Sequence, residues 1–188
     1  FYKNDKGEEI QVKRIYNRVI FDELDLRTDL QLNFDFSKSY DVEWAGHPNW
    51  FFRISKFILP YLKGKYFIET TLLSDLKEIP NDLENYVLKP LFSFSGSGVI
   101  FHVKREDIES VKEKDLYILQ KKVHYKPIIQ SPDGLVKAEV RLLAVWPKDD
   151  RKPTLVTNLV RLSRGEMIGV KFNKDKDWVG GTIGMFEK

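Results

Sequence analysis

The chain has 188 residues, of which 42% are hydrophobic and 13% aromatic, enough for one compact core or two small lobes. Its 31 basic and 28 acidic residues nearly balance, which argues against a nucleic-acid-binding surface, and the lack of cysteine excludes disulfides, thiol catalysis and thiolate metal sites. No apolar run approaches the roughly 20 residues that span a bilayer, so we expect a cytoplasmic protein without membrane contacts.

The first 45 residues mix short strand-like pieces with polar connections. The sequence begins at Phe1 rather than methionine, and we expect it to be a segment of something longer. We interpret residues 1–45 as an N-terminal segment, the remnant of a preceding domain, and residues 46–188 as the main domain.

Helical patterns precede a strand-rich region. Apolar residues at helical spacing predict a helix over residues 46–62, and a second short helix is expected over Glu69–Leu76. From Asn85 onward the chain alternates strands with one short charged helix over Lys104–Asp115, which predicts an α+β fold of mainly antiparallel sheet. The predicted strands are Tyr86–Phe92, Val99–Val103, Tyr117–Val123, Val136–Trp146 and Leu155–Leu162.

A lysine followed by a Ser/Gly loop is the most informative local pattern. Lys89 leaves an apolar strand, and Ser95, Gly96, Ser97 and Gly98 follow within a few residues. Glycines let the backbone approach a ligand closely, and successive N–H groups in such a loop cradle phosphate oxygens. The alternative is a plain β-hairpin with a Ser/Gly turn. Residue order excludes a Walker loop, a protein-kinase loop and a nucleophile elbow.

The strand over residues 136–146 carries charge on one of its faces. Glu139 and Arg141 project together because side chains two apart share a face. The carboxylate suits a Mg²⁺ ligand, and the guanidinium suits stabilisation of a transferring phosphoryl group. The alternative is a solvated face on which these residues are cross-strand partners.

Two further polar positions interrupt apolar strands. Asn158 could complete a metal shell, and Arg161 could contact phosphate or substrate. In a regular strand these two side chains face opposite ways, so one shared site requires a bulge or turn between them. Farther upstream, exposed backbone from Gln120 through Lys121 to Val123 could recognise an adenine edge; the alternative is a simple strand end.

The order of these motifs resembles the ATP-grasp superfamily, which includes glutathione synthetase, the ribosomal-protein glutamate ligases and D-alanine–D-alanine ligase. The resemblance covers roughly residues 46–170 as a pattern and adds Ser55-Lys56 at its start. It implies two lobes of mainly antiparallel sheet with flanking helices and a nucleotide between them.

The resemblance also implies roles for individual residues. Lys56 and Lys89 resemble the two phosphate-binding lysines, and Ser93–Val99 the loop that covers the phosphates. Gln120, Lys121 and Val123 would form the adenine hinge. Glu139 and Asn158 would be the Mg²⁺ ligands, and Arg141 and Arg161 the catalytic arginines.

The implied activity is ATP-dependent ligation of a small-molecule or peptide carboxylate to an amine, or sometimes a thiol, through an acylphosphate, with ATP and Mg²⁺ as cofactors. The family commonly carries a Glu-x-Asn metal pair, whereas Val156 stands two residues before Asn158 here. That departure favours the alternative function, a non-catalytic nucleotide-binding or interaction domain with the same type of fold.

Overall fold

The computed structural model describes residues 1–93 and 96–187, without the side chains of Asp22 and Lys171. The chain divides into two compact units, Phe1–Lys122 (unit 1) and Val123–Lys188 (unit 2). The fold is α+β, with mostly antiparallel sheets and few, short helices. Among the described residues, no helix is long and apolar enough to cross a membrane.

The first part of unit 1 contains two small two-stranded sheets. Strands β1 and β2 pair antiparallel, whereas β3 and β4 pair parallel. The elements up to the end of the predicted first helix are β1 (Tyr2–Lys3), β2 (Glu9–Ile10), β3 (Arg14–Tyr16), α1 (Phe21–Leu24), β4 (Glu43–Ala45), α2 (Trp50–Ile54) and a 3-10 helix (Lys56–Tyr61).

The helix predicted over residues 46–62 is therefore interrupted. Ser55 adopts an extended conformation, and its hydroxyl accepts the N–H of Phe57 at 3.2 Å, which ends α2 and begins the 3-10 helix. Pro60 lies within that 3-10 helix. The break makes Lys56 the first residue of a new helical segment.

A three-stranded antiparallel sheet in the order β5-β7-β6 forms the centre of unit 1. Its core consists of Leu73, Leu88, Val103, Ile108 and Leu119, with α3 packed on the Leu88–Leu119 face. The elements are β5 (Thr70–Leu72), a 3-10 turn (Leu73–Asp75), a 3-10 turn (Leu83–Asn85), β6 (Tyr86–Pro90), α3 (Arg105–Ser110), a 3-10 turn (Lys114–Leu116) and β7 (Tyr117–Lys121).

Two predictions in this region are wrong. The expected helix over Glu69–Leu76 is instead β5 followed by a 3-10 turn, because Thr70 and Thr71 pair with β7 and β-branched residues favour strands. The expected strand Val99–Val103 is reduced to one bridge between Leu88 and Ile100, so the loop after Lys89 is not closed by a regular hairpin.

Unit 2 is one four-stranded antiparallel sheet in the order β11-β10-β9-β8. The long strands β9 and β10 were predicted at nearly these positions, and a bulge at Val156 interrupts their pairing. The elements are β8 (Ile129–Ser131), β9 (Gly134–Val145), β10 (Thr154–Ser163), a 3-10 turn (Val170–Phe172) and β11 (Gly180–Thr182).

Candidate functional site

The sheet of unit 1 presents a line of polar side chains on the face opposite Leu88 and Leu119. Gln120 stands in the central strand beside Thr70 on β5, and Lys89 is its diagonal neighbour on β6. The Lys89 Nζ donates to Gln120 Oε1 at 2.6 Å, and Gln120 Nε2 donates to Thr70 Oγ1 at 2.9 Å. Thr70 and Gln120 are buried, so this chain of hydrogen bonds fixes the position of Lys89.

Lys89 is a partly buried cation that lies close to a second cation. Its pKa is lowered, first by burial and second by the positive charge of Lys56. Its hydrogen-bond acceptor in the described part of the chain is the neutral amide of Gln120 rather than a carboxylate. The positive charge of Lys89 is therefore not neutralised by the group that holds it.

Lys56 contacts the start of the Ser/Gly loop. Its Nζ donates to the backbone oxygen of Ser93 at 2.8 Å and to the Ser93 hydroxyl at 3.1 Å. The extended conformation of Ser55 places this lysine at the beginning of the 3-10 helix. Both lysines that the sequence singled out thus lie beside the segment predicted to cover phosphates.

The described part of the loop is a turn built on glycines. Gly96 and Gly98 have φ of 78° and 67°, the left-handed region that glycine adopts without strain. A Cβ at Gly98 would come within 3.0 Å of the Pro90 ring, so the chain here also needs glycine for close packing. Ser97 is exposed, and the predicted binding residue Ser95 lies outside the described residues.

Two backbone donors in the predicted adenine hinge already have partners. The N–H groups of Lys121 and Lys122 donate to Glu69 and Asn85 carbonyls at 3.0 and 2.8 Å. The Lys121 side chain forms an ion pair with Glu69 at 2.6 Å. Val123, the remaining hinge residue, is exposed and begins unit 2.

Glu139 in unit 2 lies at the centre of a cluster with two arginines and a tyrosine. Its Oε1 accepts from Arg141 Nε at 2.8 Å and lies 3.6 Å from an Arg161 terminal nitrogen. Its Oε2 accepts from the Tyr125 hydroxyl at 3.4 Å. Burial, and then the charge of Glu139, raises the pKa of Tyr125. The cluster forms because Arg161 is directly opposite Glu139 in the β9–β10 register.

Asn158 lies on the other face of the same sheet. It pairs with Leu142, three residues before Arg161, and the bulge at Val156 comes too early to bring the two side chains to one face. Its side chain instead binds Gly184, accepting the N–H at 2.7 Å and donating to the carbonyl at 3.0 Å.

The two predicted magnesium ligands therefore do not share a site. Glu139 is held by arginines and Asn158 by the backbone of Gly184. Across the residues that the structure describes, no group of three or more His, Cys, Asp or Glu side chains could hold a metal ion. This geometry does not fit a Glu139–Asn158 magnesium centre.

Asn173 is a central residue of unit 2 that sequence reasoning missed. Its Oδ1 accepts from the Ser163 hydroxyl and from the Arg164 and Gly165 N–H groups, at 2.8–3.0 Å. Its Nδ2 donates to the Met167 and Gly169 carbonyls at 3.3 and 2.7 Å. The sequence signal was an asparagine at the start of the charged run Asn173–Asp177, which is equally typical of an exposed turn.

No protein-family model, curated protein or solved structure matches this chain. The functional argument therefore depends on the geometry of the residues and on the resemblance carried by their order.

Proposed function

We propose that the chain is an ATP-binding protein of ATP-grasp type, and that it acts as a carboxylate–amine ligase. The observation that carries the proposal is the pair of adjacent lysines, Lys56 and Lys89, beside a turn with two left-handed glycines. Adjacent cations next to backbone that tolerates close approach favour a multiply charged anion such as the phosphates of ATP.

Partial burial makes Lys89 well suited to this role. A cation in a weakly solvated position interacts more strongly with an incoming phosphate than an exposed lysine does, because solvent screens it less. The hydrogen bond that Lys89 donates to Gln120 orients the ammonium group before the ligand arrives, which lowers the ordering cost of binding.

In the proposed reaction, the γ-phosphoryl group of ATP moves to a carboxylate, and ADP and an acylphosphate form. An amine then displaces phosphate and forms the amide. The chain would contribute positioning and electrostatic stabilisation, with Lys56 and Lys89 of unit 1 on the phosphates. The resemblance assigns the catalytic role to Arg141 and Arg161 of unit 2. Because Glu139 and Asn158 do not lie together, no step is assigned to magnesium held by that pair.

A binding assay tests the nucleotide part of the proposal. Wild-type protein should melt at a higher temperature when ATP is added, because a ligand that binds only the native state stabilises it by about 2.7 kcal/mol at 100 times its Kd. Lys89→Met, which retains an unbranched side chain, should lose that shift. The exposed Lys112 provides a matched control, and Lys112→Met should keep the full shift. A Lys89→Met variant that still responds to ATP would contradict the assignment.

The second candidate function is a non-catalytic nucleotide-binding domain. The separation of Glu139 and Asn158 onto opposite faces of the sheet favours it. Release of ADP only when carboxylate and amine mixtures are added would identify the ligase. A thermal shift with ATP but no ADP under any such mixture would identify the non-catalytic domain.

A further inference from the structure

Unit 2 contains a cavity of about 480 Å³, here called the arginine cavity, whose floor is one face of the sheet. Arg141, Leu159 and Arg161 share this face, because Leu159 pairs with Arg141 and Arg161 follows two residues later on β10. The cavity volume falls within the range typical of small-molecule sites.

The wall of the cavity is a segment held in place by hydrogen bonds. Arg161 donates to the Ile168 carbonyl at 3.3 Å, and Lys137 donates to the Gly165 carbonyl at 3.0 Å. Asn173 binds the same segment through five hydrogen bonds. At Gly165 a Cβ would lie 2.1 Å from the Phe172 carbonyl oxygen, so only glycine permits this packing.

The neighbouring strand carries a glycine at the position opposite Arg161. Gly181 on β11 is directly opposite Arg161, so no side chain occupies the cross-strand position there. A Cβ at Gly181 would lie 3.2 Å from Leu159 Cδ1. Arg161 therefore has Glu139 on one side and, on the other, a glycine against which the Leu159 side chain packs.

The lining combines positive charge with apolar surface. Arg141, Arg161 and Lys174 line the cavity, and in the described part of the chain the carboxylate paired with the two arginines is that of Glu139. The remaining contact surface is largely apolar, from Leu159, Ile168 and Val179. Polyphosphates and sugars would leave that apolar surface without apolar partners. A small anion without an apolar part would leave the same surface in contact with water.

We propose that the arginine cavity binds a monocarboxylate with an apolar body, the carboxylate at Arg161 and Arg141 and the body against Leu159, Ile168 and Val179. Guanidinium groups bind carboxylates through two parallel hydrogen bonds. The identification of this monocarboxylate as the substrate of the ligase rests on the proposed function. Its binding depends only on residues of unit 2.

Calorimetric titration of the whole chain without nucleotide tests the proposal with three probes. The first probe is 3-phenylpropionate. The second is its amide, which keeps the apolar part but lacks the charge, and the third is acetate, which keeps the charge but lacks the apolar part. We expect the amide and acetate to bind at least about tenfold more weakly than 3-phenylpropionate, since each lacks one of the two contributions.

Arginine variants locate the site. Arg161→Gln should weaken 3-phenylpropionate binding by about tenfold or more. The exposed Arg151, which lies in a turn of the same unit and does not line the cavity, provides the control, and Arg151→Gln should bind normally. The comparison of the three probes on wild-type protein requires no variant, so it remains decisive if Arg161→Gln fails to fold.

Equal binding of the carboxylate and its amide would overturn the proposal, and so would absence of 3-phenylpropionate binding. The outcome is separable from that of the nucleotide proposal. An ATP-dependent thermal shift without 3-phenylpropionate binding refutes only the arginine cavity, whereas the reverse result refutes only ATP binding.

Discussion

Lys89 combines two unfavourable conditions, partial burial and a neighbouring lysine, with a neutral hydrogen-bond partner. A residue selected for stability alone would not be placed this way, because burial of an unneutralised charge costs free energy. Functional sites commonly contain such perturbed groups, where the cost is recovered when ligand binds.

The lowered pKa of Lys89 predicts a specific pH dependence of stability. The native state releases this proton at a lower pH than the unfolded chain, whose lysines titrate near pH 10.4. In the window between the two pKa values the unfolded state binds more protons, so the free energy of unfolding rises with pH. We expect the stability of wild type relative to Lys89→Met to increase as pH rises through that window, measured by urea unfolding.

ATP provides the check on this interpretation. Phosphates next to Lys89 would favour its charged form and raise its pKa, so saturating ATP should flatten the difference between wild type and variant. Identical pH profiles for the two proteins without ATP would show that Lys89 carries no such perturbation.

The sequence identified Lys56 and Lys89 as candidate site residues but not the groups that they contact. Lys89 and its glycines could be recognised from spacing alone. The contact with Gln120 could not, because it depends on strand register between residues 31 apart in sequence.

The pairing of β9 with β10 determines which of the predicted residues meet. Glu139 and Arg161 come together because they are opposite one another, although they are 22 positions apart in sequence. Because side chains alternate between the two faces of a strand, Asn158 lies on the face opposite Glu139 and Arg161. The alternation of apolar and polar residues predicted both strands, whereas their register could only be seen in the structure.

The short elements were harder to predict than the long strands. Thr70 and Thr71 lie in a segment whose apolar spacing also suits a helix. The segment forms a strand because these residues pair with β7. Ser55 interrupts the predicted helix through one local hydrogen bond to Phe57. Neither competing interaction leaves a pattern that periodicity can detect.

Asn158 is expected to hold the segment around Gly184 rather than a metal. Asn158→Ala removes both hydrogen bonds to the Gly184 backbone, each worth about 1 kcal/mol. The Gly184 amide should then exchange with deuterium faster, as measured by NMR. The exposed Thr157 offers a neighbouring control, and Thr157→Ala should leave that exchange rate unchanged. Unchanged exchange in Asn158→Ala would contradict this structural role.

At the scale of the whole molecule, the chain consists of two compact units that carry different candidate sites. Residues 1–45 belong to the same unit as the β5-β7-β6 sheet, and the division falls after Lys122. No change in composition marks that position in the sequence. The antiparallel α+β class could be predicted, because turn residues and alternating strands dominate the second half of the chain.

Two ligands should therefore protect two different parts of the chain. We expect ATP to slow hydrogen exchange around Lys89–Gly98 in unit 1, and 3-phenylpropionate to slow it around Leu159–Gly181 in unit 2, because binding suppresses local opening. Hydrogen-exchange mass spectrometry with each ligand separately measures both. Acetate provides the control for nonspecific carboxylate effects. Absence of 3-phenylpropionate protection from Leu159–Gly181 would contradict the assignment of this ligand to the arginine cavity.

The amide of Gln120 has one further consequence. It gives Lys89 an oxygen to bind but no negative charge, so the lysine is oriented without being neutralised. A glutamate at this position would differ by one atom and would supply an internal counter-ion that competes with any incoming anion. Under the proposed function, glutamine at this position leaves the charge of Lys89 available to an incoming phosphate, whereas glutamate would form an ion pair with it.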